Sequence, residues 1–159
     1  MVSRNSTPVL HAGVAALISL ALSGLSFAST VVTPNVSTVR SREATAQTFV
    51  GQALKVWQER LNLKDWQIRV ELVHPSALEP KTLGNIHWNT DTKEATINVL
   101  SSRDYTLPLP EMLSDMEFTV VHELIHLHLA SLPRSNATEV KEEFVVNQLA
   151  HALLNLSKH

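Results

Sequence analysis

The chain has 159 residues, of which 44% are hydrophobic and 18% are charged, and its formal net charge is −2. This length predicts one domain with a hydrophobic core of its own. The small negative charge argues against a nucleic-acid partner, and the absence of cysteine excludes disulfides and thiolate metal sites, so any metal must be bound by histidine and carboxylate groups.

The first 28 residues differ in composition from the rest. A short polar start with one arginine leads into the apolar run AGVAALISLALSGLSFA, in which Ser26 and Ala28 are small residues before a possible cleavage site at Ser29. We expect a signal peptide over 1–28, a secreted or periplasmic protein, and no stable membrane span in the mature chain. The alternatives are an organelle transit peptide, since residues 1–42 contain three arginines and no acid, or a misplaced start.

The segment 29–44 is rich in Ser, Thr and Val and lacks a helical period, which predicts a linker or a short pro-segment. The folded domain is then expected over 45–159. Its first helix is predicted by apolar residues that recur on one helical stripe, namely Phe49, Val50, Ala53, Leu54, Trp57 and Leu61.

Two stretches have the pattern of a small sheet. Alternation over 65–73 predicts a half-buried strand with Trp66, Ile68, Val70 and Leu72 on its inner face. Ile86 and Trp88 then lead into the polar turn 89–94, and the β-branched segment 95–100 is expected to pair back as a hairpin. We expect these strands to be mostly antiparallel.

Two further helices are predicted. Ser114 followed by Glu117 matches a capping box, so the second helix is expected over 114–132, before Pro133. The third begins at Ser135 or Asn136, and its apolar positions are Val140, Phe144, Val145, Leu149, Ala152, Leu153 and Leu156. The predicted fold class is α+β, with three main helices packed on a small sheet.

The second helix contains TVVHELIHLHLASL, in which four polar residues lie among apolar ones. At about 100° per residue, Thr119, His122, Glu123 and His126 share one quadrant, while the rest of the circumference is apolar, as in a core helix. Two histidines four residues apart can bind one metal ion, and a glutamate beside them can reach a water on that ion. The alternative is a pair of core histidines without a metal.

A catalytic zinc usually has three protein ligands. Leu129 and Leu132 stand where a metzincin has its glycine and third histidine, so that family is excluded. The third helix instead places Glu143 on a mostly apolar face, together with Val146, Asn147, Ala150 and Leu154.

With these motifs, residues 45–157 resemble the gluzincins, zinc peptidases in which a helix after His-Glu-x-x-His supplies a glutamate ligand. A very small version of that fold is expected, similar to minigluzincins and to compact metallopeptidase domains of SprT or ImmA type. The resemblance implies Zn²⁺ bound by His122, His126 and Glu143, with Glu123 as the general base. Asn147 stands where the family usually has an aspartate that orients a ligand histidine, whereas Glu142 does not fit the family's spacing.

The function implied is hydrolysis of a peptide or protein substrate through a zinc-bound water. The resemblance also implies that an edge strand near the site binds the substrate as an added strand, and 95–100 is the candidate for it, the alternative being an edge strand that pairs with nothing. The alternatives are a non-catalytic, zinc-stabilised module that binds peptides, and hydrolysis of a non-protein amide. Tyr105 and His87 are candidates for stabilising an oxyanion, although their spacing does not select either one.

Overall fold

The computed structural model describes residues 36–132 and 136–157, with the side chains of all but 136–139. The elements in chain order are helix α1 (Val36–Arg60), strands β1 (Gln67–Val73), β2 (Gly84–Asn89) and β3 (Glu94–Leu100), helix α2 (Leu109–His128) and helix α3 (Asn136–Leu156). Short 3₁₀ turns lie at Pro75–Ala77 and Ser102–Asp104.

Helices and one sheet confirm the predicted α+β class. The helices α1 and α2 pack on the sheet, with Ile97 and Val99 fully buried in the core between them. On the opposite face the strands carry mostly polar side chains, and there Arg69 Nε of β1 donates a hydrogen bond to Thr96 Oγ1 of β3 at 3.2 Å. The sheet is therefore buried on one face and polar on the other, as its alternating sequence predicts.

The strand order is β1-β3-β2. The predicted hairpin is confirmed, because β2 pairs antiparallel with β3, with Gly84 opposite Val99. However, β1 pairs with β3 in parallel, so the sheet is mixed rather than mostly antiparallel. The expectation that 95–100 is an edge strand is wrong, since β3 is hydrogen-bonded on both sides. Its alternate residues are almost fully buried, which suits a central strand.

The first helix begins nine residues earlier than expected. The segment 36–44 of the predicted linker belongs to α1, while 1–28 and 29–35 lie outside the described residues. Tertiary contacts explain the difference, because Arg42 Nη2 donates to the Leu107 carbonyl at 2.7 Å and Glu43 accepts hydrogen bonds from two serines after β3. The predicted stripe is otherwise confirmed, with Val50, Ala53, Leu54 and Trp57 buried.

The second helix also begins earlier than its capping box suggests. It starts at Leu109 with a proline in its first turn, where the fixed φ of Pro110 suits a helix start, so Ser114 lies inside the helix. It ends at His128 rather than at Leu132. Trp57 Nε1 donates to Glu117 Oε1 at 2.8 Å and thereby fastens α1 to α2.

The third helix packs on α2 with the mostly apolar face that carries Glu143, Val146, Asn147, Ala150 and Leu154, and not with the stripe of larger apolar residues. Among the side chains of α3 that the structure describes, from Val140 onward, Val146 and Ala150 are buried, both at 0% exposure. Most of the predicted apolar face is exposed, namely Val140, Phe144, Val145, Leu149, Ala152 and Leu156, with Leu153 half-buried. None of the described helices has both the length and the apolar character to cross a bilayer.

The anchor at Glu43 gives a test of the longer α1. Ser101 Oγ donates to Glu43 Oε1 at 3.0 Å and Ser102 Oγ donates to Oε2, and both serines are buried. We expect Glu43→Ala to lower the free energy of unfolding by about 1–3 kcal/mol, because it leaves buried hydroxyl groups without an acceptor. Urea denaturation followed by circular dichroism measures this.

The matched control for Glu43→Ala is Glu59→Ala on the same helix. Glu59 is exposed, and its partner among the described residues is the exposed Lys64, at 2.8 Å, so its removal should leave the urea midpoint nearly unchanged. Equal midpoints for the two variants would contradict the role given to Glu43.

Candidate metal centre

The polar quadrant of α2 lies inside the protein. Thr119, Glu123 and His126 are 5%, 6% and 7% exposed, and the His122 side chain is 14% exposed. The rest of the helix supplies core residues. Thr119 Oγ1 donates to the Asp115 carbonyl of the same helix at 3.0 Å. Because unpaired polar groups are costly in such surroundings, the three ionisable side chains require partners from other elements.

Three side chains meet at this quadrant. His122 Nε2 and His126 Nε2 are 3.0 Å apart, Glu143 Oε1 is 3.0 Å from His126 Nε2, and Glu143 Oε2 is 3.4 Å from His122 Nε2. Ligands bound tetrahedrally to one zinc at about 2.0–2.1 Å lie about 3.3 Å from one another. His122, His126 and Glu143 can therefore hold a metal ion.

The hydrogen bonding of His126 supports a cation at this point. Glu142 Oε1 lies 2.9 Å from His126 Nδ1, and since an ionised carboxylate only accepts, Nδ1 carries the proton. In a ring that carries only this proton, the lone pair of Nε2 points toward the Glu143 carboxylate. Two acceptors 3.0 Å apart repel each other unless a second proton or a metal ion lies with them. The donor set thus fits a metal ion.

The surroundings of His122 lower its pKa and so favour the neutral ring. Burial lowers the pKa of His122 and the neighbouring His126 lowers it further, whereas Glu143 and Asn147 act in the opposite direction. Neutral imidazole is the form that binds a metal. The side chain of Asn147 faces this ring, but the buried Nδ1 of His122 has no partner in normal hydrogen-bonding geometry among the described residues.

Glu123 lies beside the strand β2. A Cβ atom on Gly84 would be 2.3 Å from Thr119 Cγ2 and 3.5 Å from Glu123 Oε1. Only a glycine allows α2 to approach the strand so closely. Burial, together with the charge of Glu143, raises the pKa of the Glu123 carboxyl to about 8. The result is a desolvated acid next to His122, His126 and Glu143, the candidate metal-ligand group.

The metal-ligand group opens into a cleft of about 640 Å³. One wall is β2 with the loop before it, and the other consists of α2 and α3. Ile86, Trp88 and Phe118 give the cleft an apolar lining, while Glu123, Glu143 and Asn147 contribute polar groups. Apolar walls with a few convergent polar groups are typical of ligand sites.

The other site candidates considered from the sequence do not line the cleft. Tyr105 packs against the core, where burial and Asp115 raise its pKa, and neither Tyr105 nor His87 lines the cleft. His128 Nε2 donates to the Leu61 carbonyl at 2.6 Å, a contact between α2 and the end of α1. The residue that sequence reasoning set aside is Glu142, which contacts His126. Its position next to Glu143 in the sequence could have indicated this contact, since both glutamates face α2.

Comparison with known proteins finds no relative. A scan against protein-family models, a search of curated proteins and a search of solved structures each find no match. The candidate site must be interpreted from its own residues.

The raised pKa of Glu123 predicts a pH-dependent stability in metal-free protein. An ordinary glutamate has a pKa of 4.5, so between pH 4.5 and about 8 the folded state retains a proton that the unfolded state has lost. Stability should therefore fall as the pH rises through this interval, by up to about 1.4 kcal/mol per pH unit.

This dependence can be measured by urea denaturation with a chelator present. The free energy of unfolding of Glu123→Gln should exceed that of the wild type by a margin that grows with pH and levels off above about pH 8. Parallel curves for the two proteins between pH 5 and 8 would show that Glu123 is not desolvated as described.

Proposed function

We propose that this protein is a small zinc-dependent peptidase of the gluzincin type. The observation that carries the proposal is the convergence of His122, His126 and Glu143 within ligand distance, next to the buried acid Glu123. A site that only stabilised the fold would have no need for a desolvated carboxyl group in an open cleft.

The donor types favour zinc. Two imidazole nitrogens and one carboxylate oxygen are a ligand set used by catalytic zinc sites, which leave a further coordination position open. Hard cations such as Mg²⁺ and Ca²⁺ prefer ligand sets made of oxygen atoms. When bound, zinc would supply Lewis-acid chemistry, polarising a carbonyl and making water a better nucleophile at neutral pH.

Glu123 is the group placed to move the proton. Its carboxyl group borders the cleft beside the metal-ligand group and is shielded from solvent. The charge of a bound zinc would favour the ionised form of Glu123, which can accept a proton from the attacking water. The same carboxyl group can then donate that proton to the leaving amine. Glu142 keeps the His126 ring oriented through its contact with Nδ1.

The substrate is an extended peptide that adds to the outer edge of β2, which no other described strand covers. Leu100 N donates to the Leu83 carbonyl at 2.8 Å, so these two residues, at the end of β3 and just before β2, are a hydrogen-bonded pair. Because hydrogen-bonded and non-hydrogen-bonded pairs alternate along antiparallel strands, the N–H and C=O groups of Gly84 and Ile86 point away from β3. Both residues line the cleft. A peptide paired with this edge would pass directly over Glu123, which is the geometry of β-strand addition.

The test is hydrolysis of a fluorogenic peptide library by zinc-loaded protein. Glu123→Gln should lower kcat by about 10²–10⁴-fold or more while zinc remains bound, because the amide cannot take a proton. Glu111→Gln is the matched control, since Glu111 is an exposed acid on the same helix and should leave kcat unchanged.

Two results would contradict the proposal. Equal activity of Glu123→Gln and the wild type would assign the hydrolysis to another group. A zinc-loaded wild type that binds peptides without cleaving any would instead support a non-catalytic binding module.

A further inference from the structure

A strained lysine lies at the rim of the cleft, in the turn before β2. Thr82 N and Thr82 Oγ1 both donate to the Glu79 carbonyl, at 3.1 and 2.9 Å. Pro80 and Lys81 are the central residues of this turn, and Lys81 has a φ of 71°. A type II turn needs this left-handed conformation at its third residue and favours glycine there. A lysine is therefore held where a smaller residue would cost less.

Lys81 is the single lysine or arginine that lines the cleft among the described residues. It is exposed and forms no salt bridge with another described side chain. Its ammonium group is thus available to a ligand in the same cleft as Glu123 and the metal-ligand group. Glu79, on the same rim, is the acid nearest in sequence and opposes it in charge.

The direction of β2 defines which part of a peptide would meet Lys81. Gly84 lies beside Glu123, Ile86 follows it along the strand, and the Glu79–Thr82 turn precedes it. A peptide antiparallel to β2, with its scissile carbonyl at Glu123, places the residues before that bond along Ile86. The residues after the bond then pass the Glu79–Thr82 turn.

We propose that Lys81 binds a substrate carboxylate on the C-terminal side of the scissile bond, so that the site prefers peptides with an acidic side chain or a free C-terminus there. This inference rests on the proposed peptidase function. The ion pair between Lys81 and the substrate carboxylate is near solvent, so the preference is modest, about two- to fivefold in kcat/KM, and it weakens at high salt.

The experiment uses pairs of peptides that differ in one carboxylate. Glutamate is compared with glutamine at each of the three positions after the cleaved bond, and a free C-terminus is compared with an amide, so the two sources of a carboxylate are distinguished. The variant is Lys81→Asn, because asparagine tolerates a positive φ and leaves the turn intact. Lys93→Asn is the matched control, since Lys93 also has a positive φ, of 56°, but lies in the β2–β3 turn and does not line this cleft.

We expect the wild type and Lys93→Asn to prefer one class of carboxylate peptide by about two- to fivefold, and Lys81→Asn to lose that preference while it still cleaves the neutral peptides. Glu79→Gln should increase the preference. An unchanged preference in Lys81→Asn, or no preference in the wild type, would overturn the role of Lys81.

Binding of the same labelled peptides to Glu123→Gln, with and without Lys81→Asn, separates this inference from the peptidase function. Fluorescence anisotropy should show a carboxylate preference that depends on Lys81. If that preference is found while the wild type cleaves nothing, the peptidase proposal fails and the role of Lys81 stands. If binding shows no such preference, the role of Lys81 fails whether or not peptides are cleaved.

Discussion

Burial of the polar quadrant of α2 is the constraint on which the rest of the site depends. An unpaired polar group in such surroundings costs about 1–3 kcal/mol, so the quadrant can be stable only if other elements supply partners. The helix α3 supplies Glu142 and Glu143, which contact the two histidines. The strand β2 supplies Gly84, whose missing side chain lets Thr119 and Glu123 approach the strand. The positions of the metal-ligand group, of Glu123 and of the edge of β2 thus all depend on how α3 and β2 pack against this face of α2.

The strongest local patterns could be interpreted from sequence. The apolar stripe of α1, the alternation of β1 and the turn that joins β2 to β3 each depend on neighbours a few residues apart, where periodicity is reliable. The quadrant of α2 follows from helical geometry alone. Glu143 was selected by its spacing on the next helix together with the family resemblance, and the structure brings it to both histidines.

Long-range pairing could not be deduced in the same way. The parallel pairing of β1 with β3 joins strands separated by β2, and no local pattern records it. On α3 the larger apolar residues are exposed, while Val146 and Ala150 pack on α2. Small residues allow the close approach that carries Glu142 and Glu143 to the histidines. The number of large apolar residues alone therefore favoured the wrong face, whereas the spacing that grouped Glu143 with Val146 and Ala150 did not reveal that Glu142 also contacts the quadrant.

The most direct test of this account is the zinc stoichiometry and affinity of the folded protein, measured by calorimetric titration after chelation and confirmed by elemental analysis. The account predicts one zinc per chain, with binding abolished in His126→Ala and severely weakened in Glu143→Ala. Glu142→Ala should keep the stoichiometry and weaken affinity by about 10- to 100-fold, because Glu142 only orients a ligand. A folded wild type that takes up no zinc, or Glu143→Ala with unchanged affinity, would contradict it.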